Sequence, residues 1–239
     1  MKESHSDADV AGIFEKCWKE LLKEYETRRL FNVYCSEADI QLHFASKLLG
    51  SLRFPTCVYV EFPISFDVGD FMISRMNLGK PRRKRKKGEG IIADIVIMGG
   101  HEIIPSIFAE IKYGPLIWNY LPILQAVEGK LTKERKEDVK EALLKTIERL
   151  RSWEEYGPSQ SVVYDHLKNV DKIIRLIKDF EEWGNGPVYA YYCVINEIYP
   201  KLGQLMEDEL HKHNAPDEIR LRFHHNSVRS WLEDQLSKL

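Results

Sequence analysis

Apolar residues recur along this chain with two different spacings, which separate its predicted helices from its predicted strands. Helical spacing predicts helices over 8–31, from Ser36 to about 50–55, and over 134–151, 167–183, 201–213 and 227–238. Alternation, or a short unbroken apolar run, predicts strands over 58–66, 90–98, 107–113, 188–195 and 218–223. Helices and strands that follow one another in this way predict a single α/β domain.

The second predicted helix begins with a capping signal and carries a face of mixed character. Ser36 is followed three residues later by Asp39, which resembles a capping box at a helix N-terminus. An acid in the first turn also favours the helix dipole, so Glu37 is interpreted either as a dipole partner or as a site residue. One side of this helix is apolar except at its beginning, and its residues are Glu37, Gln41, Phe44 and Leu48.

Three charged residues interrupt the two strands of a predicted antiparallel hairpin. Asp94 lies in the apolar run 90–98, and Glu110 and Lys112 lie in 107–113. Strand side chains alternate between faces, so Glu110 and Lys112 point to the same face. Because burying an unpaired charge is costly, such residues are either on the surface or part of a site. If the strands pair, the three side chains meet at one end of the sheet.

Two carboxylates and an amine in that position have a defined chemistry. Asp94 and Glu110 would repel one another unless a cation joined them, and their hard oxygen atoms suit Mg2+ or Mn2+. Such a cation binds a phosphate oxygen and lowers the pKa of a bound water, which is the chemistry of phosphodiester hydrolysis. Lys112 would orient that water and offset developing charge. The open alternative is that Glu110 and Lys112 form the polar face of an edge strand.

Charge is distributed unevenly along the chain, although the net charge of its 239 residues is only −2. The segment 80–87 is basic at every position except Pro81, and a run of like charge repels itself and stays out of a core. It is either a solvated loop or a contact for a phosphate backbone, and its place directly before the Asp94 strand favours the contact. The candidate nucleic-acid-binding residues are Arg82, Arg83, Lys84, Arg85, Lys86 and Lys87.

Composition argues against several other classes of protein. Hydrophobic residues make up 44% of the chain and charged residues 30%, which suits a solvated domain with a core. No apolar run is long enough to cross a bilayer, and the N-terminus has no signal-peptide pattern, so we expect a cytoplasmic protein without a membrane partner. The four cysteines are scattered without a C-x-x-C pair, which argues against a zinc or iron–sulfur site.

Asp94 followed by Glu110-Ile111-Lys112 resembles the D…(D/E)-x-K signature of the PD-(D/E)XK nuclease superfamily, with Ala93 in place of the proline of the nominal motif. The predicted order helix, strand, strand, strand, helix, strand is also similar to the common core of that superfamily. The resemblance implies one nuclease-like α/β domain with a restriction-endonuclease-like core, in which helices flank a central mixed β-sheet. Its segments within 1–239 are a core over about 36–195, an N-terminal helical addition over 1–35 and a C-terminal addition over 196–239.

The same resemblance implies a role for each matching residue. Asp94 and Glu110, with the carbonyl of Ile111, would ligate Mg2+ or Mn2+. Lys112 would serve the attacking water, and Glu37 would hold a metal-bound water or a second ion. The implied function is that of a metal-dependent endodeoxyribonuclease, with DNA as the substrate and RNA left open. A homodimer is also considered, because cutting two strands commonly needs two sites.

Several alternatives remain open from the sequence. One is a nucleic-acid-binding protein that keeps the nuclease fold without the activity. Another is a structural or assembly protein whose hairpin charges are surface pairs, which predicts that Asp94 and Glu110 lie far apart. The aromatic residues Tyr113, Trp118 and Tyr120, which follow Lys112, form a nucleic-acid contact, a hydrophobic clamp or a subunit contact.

Overall fold

The computed structural model describes residues 7–28, 36–53, 56–64, 91–98, 105–117, 119–181, 189–212 and 215–239. The helices in these ranges are α1 Asp7–Arg28, α2 Glu37–Ser51, α3 Leu121–Val127, α4 Lys133–Tyr156, α5 Gln160–Glu181, α6 Leu202–Lys212 and α7 Arg229–Ser237. The strands are β1 Cys57–Ile64, β2 Ile91–Met98, β3 Pro105–Gly114, β4 Tyr189–Asn196 and β5 Ile219–His225. None of the helices in the described ranges is long and apolar enough to span a membrane.

The five strands form one mixed sheet in the order β1-β2-β3-β4-β5. β2 pairs with both β1 and β3 in antiparallel orientation, whereas β3, β4 and β5 run parallel. The change of orientation at β3 follows from the connections, because the long helical segment between β3 and β4 returns the chain to the same end of the sheet. The predicted α/β class, the mixed sheet flanked by helices and the antiparallel hairpin are confirmed.

Each face of the sheet packs against its own pair of helices. One face of β3 carries Ile107, Ala109 and Ile111, which lie in an apolar cluster with residues of α1 and α2. On the other face, β4 packs against residues of α5 and α6. Helix α1 falls in the segment predicted as an N-terminal addition, yet the ring of Phe14 stacks on that of Tyr191 with centroids 4.0 Å apart. The terminal segment therefore covers the central sheet directly.

Helices α3, α4 and α7 form a third apolar cluster beside the sheet. Helix α3 was not predicted, because its seven residues are too few to display helical spacing and Pro122 stands at its start. Its buried residues, Ile123 and Ala126, pack into the cluster with α4 and α7. Tertiary packing, rather than local propensity, therefore stabilises this short helix.

Helix α5 begins seven residues before the predicted start at 167. Val162 and Val163 are β-branched and favour strands, so they obscure the helical pattern. Both valines are partly buried and pack in the cluster of the α5 face, and their N–H groups donate to the carbonyl of Ser159. The other predicted elements agree with the structure within a few residues. The basic run 82–87 lies outside the described residues.

Candidate active site

The charged residues of the hairpin converge where the pairing of β2 with β3 ends. Ile95 and Ala109 are partners in the ladder, and one step beyond them Asp94 Oδ2 accepts a 2.6 Å hydrogen bond from the backbone N–H of Ile111. The Nζ atom of Lys112 lies 3.1 Å from Glu110 Oε1 and 3.7 Å from Asp94 Oδ2. The side chain of Asp94 thus continues the ladder and places both carboxylates at one ammonium group.

The structure contradicts two of the expectations set out above. The expectation of a structural or assembly protein that Asp94 and Glu110 lie far apart is wrong, because both carboxylates contact Lys112. The edge-strand interpretation is also wrong, because β3 lies between β2 and β4 in the sheet. Both carboxyl groups are buried, with 8% of Asp94 and 5% of Glu110 exposed. Surface pairing therefore does not account for this cluster.

The beginning of helix α2 supplies a third carboxylate. Ser36 caps this helix by accepting from the N–H of Asp39, as predicted, and Glu37 is its first residue. Glu37 Oε1 accepts from Lys112 Nζ at 3.1 Å, and Oε2 accepts from the backbone N–H of Tyr113 at 3.3 Å. A partner of the helix dipole alone would need neither bond, so Glu37 is joined to the cluster. The structure brings together the four predicted catalytic residues.

Burial and charge repulsion shift the pKa values in this cluster. Burial and the neighbouring carboxylate of Glu110 raise the pKa of Asp94 to about 6. Burial alone would lower the pKa of Lys112, but the three surrounding carboxylates outweigh it and raise that pKa. At neutral pH the amine is therefore a cation that donates hydrogen bonds.

Two further contacts come from helix α5 and were missed in the sequence. Lys172 Nζ lies 2.6 Å from Glu110 Oε2, and His166 Nδ1 lies 2.5 Å from the hydroxyl of Tyr192. Burial and the positive charge of Lys112 lower the pKa of His166, so its imidazole is neutral at pH 7. No local signal distinguishes Lys172 from the other lysines of this helix, because only the packing of α5 on the sheet selects it.

The backbone of β1 is strained directly across from Asp94. The ladder partners Val60–Ile95 and Phe62–Ala93 bracket Glu61 and Asp94 in the β1–β2 pair. Glu61 has a φ of 49°, in the left-handed region that costs a non-glycine residue about 1 kcal/mol. Its side chain is exposed. Asp94 therefore lies between a strained residue of β1 and the point where the ladder with β3 ends.

The aromatic residues that follow Lys112 pack against other aromatic rings where the structure describes them. Tyr120 is 3% exposed, and its ring contacts Trp231 with centroids 5.3 Å apart. The ring of Tyr113 packs edge-on against Tyr25 at 5.8 Å. Tyr120 is therefore a buried packing residue, Tyr113 is partly buried beside Tyr25, and Trp118 lies outside the described residues.

Glu197 is a buried carboxylate that the sequence analysis missed. It is 1% exposed and follows the last residue of β4. Its oxygen atoms accept from the hydroxyl of Tyr25 at 2.6 Å, the hydroxyl of Tyr120 at 2.7 Å and the N–H of Leu116 at 3.0 Å. Helix α1 and the segment that follows Lys112 are thereby tied to one side chain.

The donor set fits a hard divalent cation in its chemistry. Among the described side chains, no group of three His, Cys, Asp or Glu residues is arranged as a ready-made metal cluster. Asp94 and Glu110 instead share the ammonium group of Lys112. The buried carboxylate of Asp94, whose pKa is raised, gains from any added positive charge, and oxygen ligands are those that Mg2+ and Mn2+ prefer. A cation would compete with the lysines for these oxygens.

The raised pKa of Asp94 predicts how stability depends on pH in the presence of a chelator. In the folded protein the carboxyl group of Asp94 keeps its proton up to about pH 6, whereas its ordinary pKa is 3.8. Between these two values the folded state binds more protons than the unfolded state, so raising the pH favours unfolding. We expect this residue to lower the free energy of unfolding by about 2–3 kcal/mol across that window. Denaturant titrations of the wild type and of Asp94→Asn from pH 4 to pH 7 measure the effect. A constant difference between the two proteins across this range would contradict the prediction.

Comparison with protein-family models gave no match, and comparisons with curated proteins and with solved structures gave none either. Function is therefore inferred from the geometry and electrostatics of Lys112 and the three carboxylates around it, Glu37, Asp94 and Glu110.

Proposed function

We propose that this protein is a metal-dependent nuclease that hydrolyses phosphodiester bonds, with DNA as its substrate. The observation that carries the proposal is the position of the Lys112 ammonium group. It lies within 4 Å of the carboxylates of Asp94, Glu110 and Glu37, which come from two adjacent strands and the start of a helix. Buried carboxylates beside an amine suit a divalent cation, and a bound cation of this kind would polarise a phosphate and activate a water for phosphodiester hydrolysis.

Each residue of the site has its own role in the proposed reaction. Asp94 and Glu110, with the carbonyl of Ile111, would hold Mg2+ or Mn2+, and the bound cation would polarise the phosphate and lower the pKa of water. Lys112 is a cation at neutral pH, so it orients an attacking water or a phosphate oxygen by donating hydrogen bonds. Glu37 fixes the direction of the Lys112 amine from the side of helix α2.

The topology supports a restriction-endonuclease-like core. An antiparallel hairpin that carries Asp94 and Glu110 is followed by helices and then by the parallel strand β4, in the order expected for that core. The basic run 82–87 directly precedes β2 in the chain, which suits a contact with the phosphate backbone close to the point of cleavage.

Cleavage assays on purified protein test the proposal. Single-stranded, duplex and branched DNA and RNA are incubated with Mn2+ or Mg2+ and, in parallel, with EDTA. We expect divalent-dependent cleavage of DNA that falls by about a hundredfold or more in Asp94→Asn and Glu110→Gln. Glu233→Gln, a change in an exposed ion pair with Arg151, is the matched control and keeps full activity. Absence of divalent-dependent cleavage on every substrate would refute the enzyme proposal.

A metal titration distinguishes an active nuclease from a catalytically inactive protein with the same fold. An inactive homologue of a nuclease binds DNA through its basic residues and gains nothing from Mn2+. A nuclease site of the proposed kind binds DNA more tightly as the cation concentration rises, because the cation joins carboxylates to phosphate. Fluorescence anisotropy of a labelled duplex with Asp94→Asn as the control distinguishes the two.

A further inference from the structure

The ion pair between Lys172 and Glu110 joins helix α5 to the candidate active site. Lys172 Nζ lies 2.6 Å from Glu110 Oε2, while Lys112 Nζ lies 3.1 Å from Glu110 Oε1. Each oxygen atom of this carboxylate therefore already has an ammonium partner. Any divalent cation that takes Glu110 as a ligand must compete with at least one of the two ion pairs.

The two lysines differ in how they are attached to the site. Lys112 contacts three carboxylates and extends from a central strand. Lys172 extends from helix α5 and contacts Glu110 of this cluster, and its side chain is about as exposed as that of Lys112, 26% against 25%. An ammonium group on a flexible four-carbon stem at the solvent boundary can move into water without disturbing the core. Within the cluster Lys172 contacts one carboxylate where Lys112 contacts three, so Lys172 is the easier of the two to displace from it.

The charges of the cluster explain why Glu110 needs a second partner. Glu37, Asp94 and Glu110 carry three negative charges, and the two lysines leave one of them uncompensated. Without Lys172, two uncompensated charges would lie around a buried carboxylate, and unpaired charge is costly where water is largely excluded. Lys172 thus supplies positive charge at the carboxylate where a metal ion would also supply it.

We propose that Lys172 is a positioning residue that acts as an exchangeable counter-ion of Glu110. It holds the carboxylate in the site and, by competing for it, sets the affinity of the site for a divalent cation. This inference rests on the nuclease function proposed above. An ammonium group displaced from Glu110 lies next to the reaction site, where a phosphate of the substrate offers it a new anionic partner.

Calorimetric titration of Mn2+ into the whole protein, without nucleic acid, tests the inference. Lys172→Met removes the competing charge, so we expect it to bind Mn2+ about tenfold more tightly than the wild type. Lys172→Gln keeps a hydrogen-bond donor and is expected to show the same direction, which covers the case in which the methionine variant fails to fold. Lys172→Arg keeps the charge and stays within about twofold of the wild type.

Lys168→Met is the matched control, because Lys168 lies one turn away on the same helix and pairs with the exposed Asp165. We expect its Mn2+ affinity to change by less than about twofold. A purely structural role for Lys172 predicts unchanged or weaker Mn2+ binding in folded Lys172→Met or Lys172→Gln, and that result would overturn the inference alone. Failure of the wild-type protein to bind Mn2+ at all would remove the proposed metal site and this inference together.

Discussion

Lys112→Met is expected to lose divalent-dependent DNA cleavage by about a hundred- to ten-thousand-fold while the protein stays folded. Methionine keeps the length and apolar stem of the side chain, but it removes the ammonium group that contacts Glu37, Asp94 and Glu110. The proposed reaction then lacks the hydrogen-bond donor that orients the attacking water or a phosphate oxygen. Single-turnover cleavage of a labelled duplex with saturating Mn2+ measures the loss, and the melting temperature reports folding.

The control for this experiment is Lys130, a lysine in a solvent-exposed ion pair away from the site. Lys130 contacts Glu128, and more than half of each side chain is exposed, so Lys130→Met should cleave at the wild-type rate. The three carboxylates left by Lys112→Met repel one another, so we also expect Mn2+ to raise the melting temperature of this variant more than that of the wild type. Full activity in folded Lys112→Met would exclude the role assigned to this amine.

Glu197→Ala is expected to lower the free energy of unfolding by about 3 kcal/mol and the melting temperature by roughly 10 °C. Glu197 accepts hydrogen bonds from two buried hydroxyl groups and one backbone N–H. Burial and the carboxylate of Glu197 raise the pKa of Tyr25, so this hydroxyl stays protonated and donates. Alanine leaves the donors without this acceptor in a place that water reaches poorly. Urea unfolding followed by circular dichroism measures the difference.

Two comparison variants make this stability prediction specific. Glu197→Gln keeps one acceptor oxygen and should lose less stability than alanine. Glu233→Ala breaks an exposed ion pair with Arg151 and should cost at most about 1 kcal/mol. If Glu197→Ala and Glu233→Ala had the same free energy of unfolding, the prediction that the three hydrogen bonds to Glu197 stabilise the segment after β3 would be wrong.

The candidate site depends on this anchoring because β3 ends at Gly114, two residues after Lys112. Tyr113 donates its N–H to Glu37, and Leu116 donates its N–H to Glu197. The end of the strand is therefore held by one carboxylate from α2 and by another from the end of β4. Rigid backbone on both sides of a reactive amine keeps its position defined, which is what a catalytic group requires.

The sequence alone determined the features that depend on short-range periodicity. Alternation along 107–113 places Glu110 and Lys112 on one face, and the hairpin predicted from 90–98 and 107–113 brings Asp94 to the same end of the sheet. The register of that hairpin, with Ile95 opposite Ala109, came from the structure. The cap at Ser36 determines where helix α2 begins and therefore where Glu37 lies. Because strands and helix starts impose fixed spacings on neighbouring residues, these parts of the site could be predicted without coordinates.

Only the tertiary structure decided which distant residues complete the site. Tyr25 lies 172 positions before its partner Glu197, and Lys172 lies 62 positions after Glu110. Whether a given lysine of α5 faces the sheet depends on the position of that helix along β3 and β4 and on its rotation about its own axis. The packing of many apolar side chains sets that arrangement. These side chains are spread along the chain, so the sequence near Lys172 contains no signal of it.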